Sequence, residues 1–186
     1  MKNSIYLFAI ITLLFVACKN EKKQTHSNHE HSEEMKMNEM NSDDKHISNG
    51  IIDSYIELKN ALVKDDEKNA ALAGNNLASS FRNFEMSKLN EMEHKQFMEI
   101  MEASIEHAEH IAKSDIGHQR EHFESLSSDI ADLITIIGTD KTLYLDYCPM
   151  YNNNQGGMWI SETEEISNPY FGAKMMKCGK ITKQIN

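Results

Sequence analysis

No proline interrupts the first 148 residues of this chain. Pro149 and Pro169 are its only two, and both fall near the C-terminus. A proline inside a helix removes a backbone hydrogen bond and clashes with the preceding turn. The long proline-free part is therefore free to be helical wherever an apolar stripe recurs at three- and four-residue spacing. From Ser48 onward it recurs four times. Ser48 or Asn49 can cap a first helix with Ile51, Ile52, Tyr55, Leu58 and Leu62 on one face. Lys64-Asp65-Asp66-Glu67 breaks that rhythm and offers a new cap. A second helix follows, with Ala70, Ala73, Leu77, Phe81 and Phe84. A third starts at Ser87 and runs through Leu89, Met92, Phe97, Ile100, Met101, Ile105, Ala108 and Ile111, with glutamates on its other face. Ser114 or Asp115 caps a fourth, built on Ile116, Phe123, Leu126, Ile130, Leu133, Ile134 and Ile137, and Gly138 stops it. Short connections make neighbouring helices antiparallel. The expected fold is mainly α: an antiparallel four-helix bundle.

The residues before Ser48 have another character. Lys2 precedes an apolar run from Ile5 to Val16, twelve residues long. That is too short to span a hydrocarbon core of about 30 Å as a helix, but it fits the core of a secretory signal. The run ends at Phe15-Val16-Ala17-Cys18, which resembles a bacterial lipobox. The expectation is a signal peptide over residues 1–17 and lipidation at Cys18, giving a membrane-anchored lipoprotein of the cell envelope, facing the periplasm or the cell surface. Removing residues 1–17 takes away one lysine, leaving 18 basic against 29 acidic residues, a net charge of −11. So acidic a chain repels nucleic acid and anionic headgroups, and its membrane contact is expected through lipid.

Residues 18–47 read as a disordered tether, with no periodic apolar face. Two clusters stand out in it: His26, His29 and His31 as H-x-x-H-x-H, and Met35, Met37 and Met40 as M-x-M-x-x-M. Imidazole suits copper and zinc, and thioethers suit copper(I). The tether is expected to give weak, dynamic metal capture. On the helices, His107 and His110 close the third, while His118 and His122 open the fourth. A chain reversal near Lys113 to Asp115 brings the two pairs face to face. His118 and His122, four apart on one face, are candidate metal ligands. His107 and His110 lie among glutamates and read as part of a solvated face.

The last part of the domain, residues 142–181, is a Cys/Met-rich stretch. Thr142 to Tyr147 alternates like a strand, with Leu143 and Leu145 on one side and Tyr144 and Asp146 on the other. Turns follow at Asn152 to Gly157 and around Asn168-Pro169, and Met175 to Gly179 closes the unit. A small β or irregular cap on the helices is expected. Cys148 and Met150 are two apart and point the same way on an extended segment; Met175 and Cys178 are three apart. If the two segments meet, they offer thiolate and thioether sulfur to copper(I), with His118 or His122 completing the set. The same two cysteines, once exported, are equally candidates for a Cys148–Cys178 disulfide that pins the cap. There is no nucleophile elbow, no H-E-x-x-H, no phosphate loop and no C-x-x-C. No enzyme activity and no organic cofactor are expected.

Tyr147-Cys148-Pro149-Met150, then G-x-W-I-S-E at 157–162, I-x-N-P-Y-F-G at 166–172, M-x-x-C-G at 175–179, and H-Q-R-E-H-F-x-x-L-S at 118–127 together resemble the domain-of-unknown-function 3347 family. The resemblance covers residues 51–181. Its members occur as bacterial lipoproteins and fused to periplasmic adaptors of copper/silver-type efflux pumps. The Y-C-P-M piece is also similar to a short heavy-metal-binding module. There a histidine and a second proline usually follow, where this chain has Tyr151 and Asn152. The resemblance implies a lipid-anchored, soft-metal-binding protein that buffers copper(I) or delivers it to a heavy-metal efflux system, with an efflux adaptor as partner. The alternative is a docking module that holds no metal and is pinned by the disulfide.

Overall fold

A computed structural model of the chain describes residues 42–185. The expected signal segment, Cys18 and the candidate tether ligands His26, His29, His31, Met35, Met37 and Met40 lie outside the described residues. The fold is mainly helical with a small antiparallel sheet at the C-terminal side. In chain order it has α1 (Ser42–Val63), α2 (Glu67–Arg82), α3 (Glu91–Ile111), α4 (Ile116–Ile137), β1 (Leu143–Cys148), the single turn α5 (Tyr151–Asn154), β2 (Gly157–Ser161) and β3 (Lys180–Ile185). No helix among the described residues is long and apolar enough to cross a membrane.

The caps explain where the helices start. Asp66 accepts from Asn69 N at 3.0 Å and opens α2. Asp115 accepts from Gly117 N at 2.9 Å and opens α4. Gly138, at φ 67°, ends α4 in the region that favours glycine. Two expected starts move. α1 begins at Ser42, so residues 42–47, read above as tether, carry its first turns. α3 begins at Glu91, because Asn90 makes a full capping box with Glu93, while Ser87 sits in a 3₁₀ turn, Met86–Lys88.

The apolar stripes pack as their spacing requires. α1 lies on α2, α2 on α3 and α3 on α4, and α1 also touches α4. Ile51, Tyr55, Leu58, Leu62, Leu77, Phe81, Phe97, Phe123, Leu126 and Ile130 are all fully buried. Gly74 is needed at the α2–α3 contact, since a Cβ there would stand 2.8 Å from the Ala108 carbonyl oxygen. Gln119, buried, donates from Nε2 to the Ile111 carbonyl at 3.1 Å and to the Glu67 carbonyl at 3.0 Å. It thereby satisfies a carbonyl at the end of α3.

The sheet order is β2-β1-β3, both pairs antiparallel. β3 was not foreseen: Lys180 to Ile185 is an almost wholly exposed edge strand with little apolar signal of its own. Its register against β1 slips between Leu145 and Asp146. The alternation in β1 is as expected, but its burial is not. Asp146 is fully buried, as is Cys148, while Leu145 is only half-buried. Buried residues fall on both faces of β1 and β2, so an alternating pattern no longer tells core from solvent there. In register Asp146 faces Trp159, itself fully buried, and Cys148 faces Gly157.

An aromatic string ties this cap to the helices. Tyr55 stacks on Phe123 at 5.3 Å between ring centres, Phe123 meets Tyr170 at 5.6 Å, and Tyr170 meets Tyr151 at 4.0 Å and Trp159 at 6.0 Å. Tyr55 Oη pairs with Ser127 Oγ at 2.8 Å and accepts from Ile160 N at 3.1 Å. Burial pushes the Tyr55 phenol well above its ordinary range, and the hydrogen bonds with Ser127 and Ile160 offset it only in part. Arg120 is the polar pin. It donates from Nε to the Pro169 carbonyl at 2.8 Å, and from Nη2 to the Leu62 carbonyl at 2.9 Å and Asp65 Oδ1 at 2.6 Å. One guanidinium thus joins the end of α1, the body of α4 and the cap loop. Asn168, fully buried, shapes that loop by accepting from Tyr170 N and Phe171 N and donating to the Cys178 carbonyl at 2.7 Å.

Candidate metal centre

The turn between α3 and α4 spans only residues 112–115. It sets the end of one helix beside the start of the next, and four imidazoles meet there. His122 is the hub. Its Nε2 lies 3.1 Å from His118 Nε2, and its Nδ1 lies 3.0 Å from His107 Nδ1. The His110 ring is stacked on it at 4.6 Å and stands 6.5 Å from His118. His110, His118 and His122 each offer a ligand nitrogen, all within 4.8 Å of one another. Among the described residues this is the group of His, Cys, Asp and Glu that converges so closely. Two imidazole nitrogens bound tetrahedrally to one ion at about 2.0–2.1 Å stand about 3.3 Å apart. The His118–His122 pair is already near that spacing.

The electrostatics favour the neutral form of His122. Burial lowers the affinity of His122 for a proton, and the positive charge that His110, His118 and His107 would carry lowers it further. One ring nitrogen therefore keeps its lone pair available at neutral pH. His118 Nδ1 is 2.7 Å from Glu121 Oε2, the carboxylate-to-histidine contact that orients a metal-binding ring. Glu106 lies 4.0 Å from His110 Nε2, so two carboxylates border the cluster.

His118 and His122 are therefore brought together, but with His110 and His107 rather than with the cysteines. His110 is exposed beside Glu106, as a solvated face implies, and His107 is half-buried; both also meet His122 in the cluster. The sequence signal was the near-mirror spacing of the two pairs about the turn. The expectation that His118 or His122 completes a sulfur set is not met, for a reason of helical geometry. At 100° per residue, Arg120 and Glu124 project roughly opposite to His122. Those are the residues that meet the cap: Arg120 O accepts from Tyr151 Oη at 3.2 Å, and Glu124 accepts from Asn152. The cap and the imidazoles occupy different faces of α4.

The cap does bring its two cysteine segments together. Cys148 Sγ, buried, and Cys178 Sγ, half-buried, are 2.9 Å apart. Met150 and Met175 approach Cys178 through their backbones: the Met150 amide faces its sulfur, and the Met175 carbonyl accepts from Cys178 N at 3.0 Å. Met150 is about half exposed (49 %). The hydrogen bond with Cys148, and then burial, push the Cys178 thiol up to about 11. A metal would have to displace that proton to bind there, whereas His122 is already biased to its neutral form.

Comparison with known proteins gives one family. The family described as "Protein of unknown function (DUF3347)" matches residues 51–142. Over that stretch, from α1 to the residue before β1, the chain is similar to that family. The match includes all four histidines and the H-Q-R-E-H-F segment, and stops short of the Cys/Met cap. No curated protein and no solved structure matches the chain.

Proposed function

We propose that this chain is a lipid-anchored protein of the cell envelope whose helical domain binds a transition-metal ion at His110, His118 and His122, to buffer it or pass it on. We take the four long helices to form an antiparallel up-down bundle that presents the α3–α4 turn as the binding end. The observation that carries the reading is the convergence of three imidazole nitrogens from two helices within 4.8 Å. Copper is the ion we assign. Among divalent first-row ions it binds nitrogen sites most tightly, and the thioethers of Met35, Met37 and Met40 offer the soft ligands that copper(I) prefers. The signal-like segment and Cys18 support the anchor. The resemblance to domains fused to efflux adaptors supports heavy-metal efflux as the destination, with an adaptor as partner.

A competition titration with copper(II) and zinc(II) tests this. It uses the chain from residue 19 onward, with His26, His29 and His31 replaced by Asn to silence the N-terminal stretch. One ion should bind per chain, and the His118→Ala, His122→Ala double variant should lose at least about 100-fold in affinity, since ligands matter more than the outer contacts worth 10–100-fold. Equal binding by that variant would sink the centre.

The 2.9 Å approach of Cys148 and Cys178 favours a second reading of the cap. It is a docking surface stapled by a disulfide, to which an envelope partner binds with no sulfur-held metal. Intact mass of protein exported and purified without reductant decides: a loss of two hydrogens and resistance to alkylation support the staple. Two alkylated cysteines return the pair to candidacy as copper(I) ligands with Met150 and Met175.

A further inference from the structure

We infer that His107 fixes the tautomer of His122, accepting a hydrogen bond from His122 Nδ1 so that His122 Nε2 keeps its lone pair for the metal. The inference rests on the imidazole centre proposed above and names a residue outside the ligand set.

The distances define a chain of contacts. Glu121 Oε2 is 2.7 Å from His118 Nδ1; His118 Nε2 is 3.1 Å from His122 Nε2; His122 Nδ1 is 3.0 Å from His107 Nδ1. A neutral imidazole carries one N–H and one lone pair. A metal ion between His118 and His122 requires lone pairs on both Nε2 atoms. Each ring must then carry its proton on Nδ1. His118 Nδ1–H has its acceptor in Glu121. His122 Nδ1–H has its acceptor in His107 Nδ1, which puts the His107 proton on Nε2. Asp129, half-buried and bonded by Ser104 Oγ at 3.2 Å, lies within electrostatic reach of His107.

Without the ion the same atoms satisfy each other in the opposite sense. His122 Nε2–H donates to His118 Nε2, and His107 Nδ1–H donates to His122 Nδ1. Metal binding therefore moves one proton from Nε2 to Nδ1 on His122 and one from Nδ1 to Nε2 on His107, with no net proton released by this pair. His107 acts as a positioning residue. Its hydrogen bond to His122 reverses direction when the site fills.

The test compares wild type, His107→Ala and His107→Asn, all in the chain from residue 19 with the three N-terminal histidines replaced, using zinc(II). Asn places its Oδ1 near where His107 Nδ1 stood and can still accept. The Ala variant should bind zinc 10- to 100-fold more weakly, and the Asn variant should recover most of the loss. Long-range ¹⁵N–¹H NMR of the rings should show His122 as the Nδ1–H form in zinc-loaded wild type and a shift away from it in the Ala variant. Thermal melts confirm that both variants fold. Wild-type affinity in a folded Ala variant overturns this role alone. Two zinc ions per chain, with His107 Nδ1 shifted as a ligand, also overturn it. Failure of wild type to bind zinc takes down the centre and the role together.

Discussion

The cap and the imidazole cluster use opposite faces of α4 and are built in opposite ways. The cap is interlocked with the helices: its Trp159, Cys148, Asp146 and Asn168, and the Tyr55 and Phe123 of α1 and α4 beneath it, are all at or near zero exposure. Its polar groups are spent on structure, as with Arg120 joining three segments. The imidazole end is open. His110 and His118 are exposed and His122 is half-buried, so its polar groups face a site that can take a ligand. Residues that hold elements together are poor ligands because they cannot move or lose a proton cheaply. Residues at an open helix hairpin are poor stabilisers because water competes for them. Damage to the cap should therefore appear as lost stability, and damage at the hairpin as lost binding.

The sharpest way to break that division is Arg120→Ala. It strips a largely buried cation from two carbonyls, each such charged hydrogen bond being worth about 1.5–3 kcal/mol, and from the exposed Asp65, which adds little, so it should cost about 3–5 kcal/mol in denaturant unfolding. Zinc affinity of the folded fraction should stay within about twofold. A large loss of affinity at unchanged stability would show that the two faces are coupled.

Oxidation of the cysteine pair is next. A Cys148–Cys178 bond closes a loop of about 30 residues and should stabilise by roughly 3–4 kcal/mol on chain-entropy grounds. Comparing unfolding midpoints with and without reductant measures it. No difference would mean that the cap is held without a staple.

A smaller effect concerns pH. Burial pushes the Asp146 carboxyl up to about 6, and only in part do Lys59 and then Trp159 offset it. Neither carboxylate oxygen has a well-formed hydrogen bond among the described residues. The folded state keeps its proton to about pH 6, whereas the unfolded chain releases it near pH 4. Between those values the folded state binds more protons, so this group's contribution falls as pH rises, by up to about 3 kcal/mol in all, and levels off above pH 6. Asp146→Asn should flatten that slope when unfolding is followed from pH 4 to 7. His122 has the opposite sign. Its lowered proton affinity gives stability that is present at neutral pH and lost as pH falls below about 6.5.

Gly172→Ala should cost about 1–3 kcal/mol. Gly172 has φ 53°, and a Cβ there would meet Asp65 Oδ1 at 2.2 Å. The smallest stability change should come from the hairpin. The His118→Ala, His122→Ala pair should shift unfolding by less than about 1 kcal/mol, since His118 is exposed and His122 only half-buried, while removing the metal. A destabilisation comparable to that of Arg120→Ala would place those histidines in the structural core instead.

The segment His118 to Phe123 shows how much of the site was legible. His118 and His122, four apart, announce a shared face, and the short turn after Ile111 announces His107 and His110 as neighbours across it. What could not be read was Arg120. Nothing local marks an arginine between two ligands as the pin of a distant loop, because its partners Leu62, Asp65 and Pro169 are about 50 residues away in sequence. Asp146 misled for a related reason. Alternation gives its side of the strand correctly, but which sides are covered depends on the chain that folds over the sheet afterwards.

What the sequence by itself determined is what short-range physics decides. Apolar period, caps at Asp66 and Asp115 and the stop at Gly138 are settled within a turn or two of helix. So is the pairing of histidines across a four-residue turn. What only the tertiary structure decided is the separation of the two ligand sets. Cys148 and Cys178 meet each other and not the histidines, because the cap docks on the face of α4 that carries Arg120 and Glu124. That choice depends on the aromatic string and the Arg120 contacts, which join residues far apart in the chain and leave no periodic trace in it.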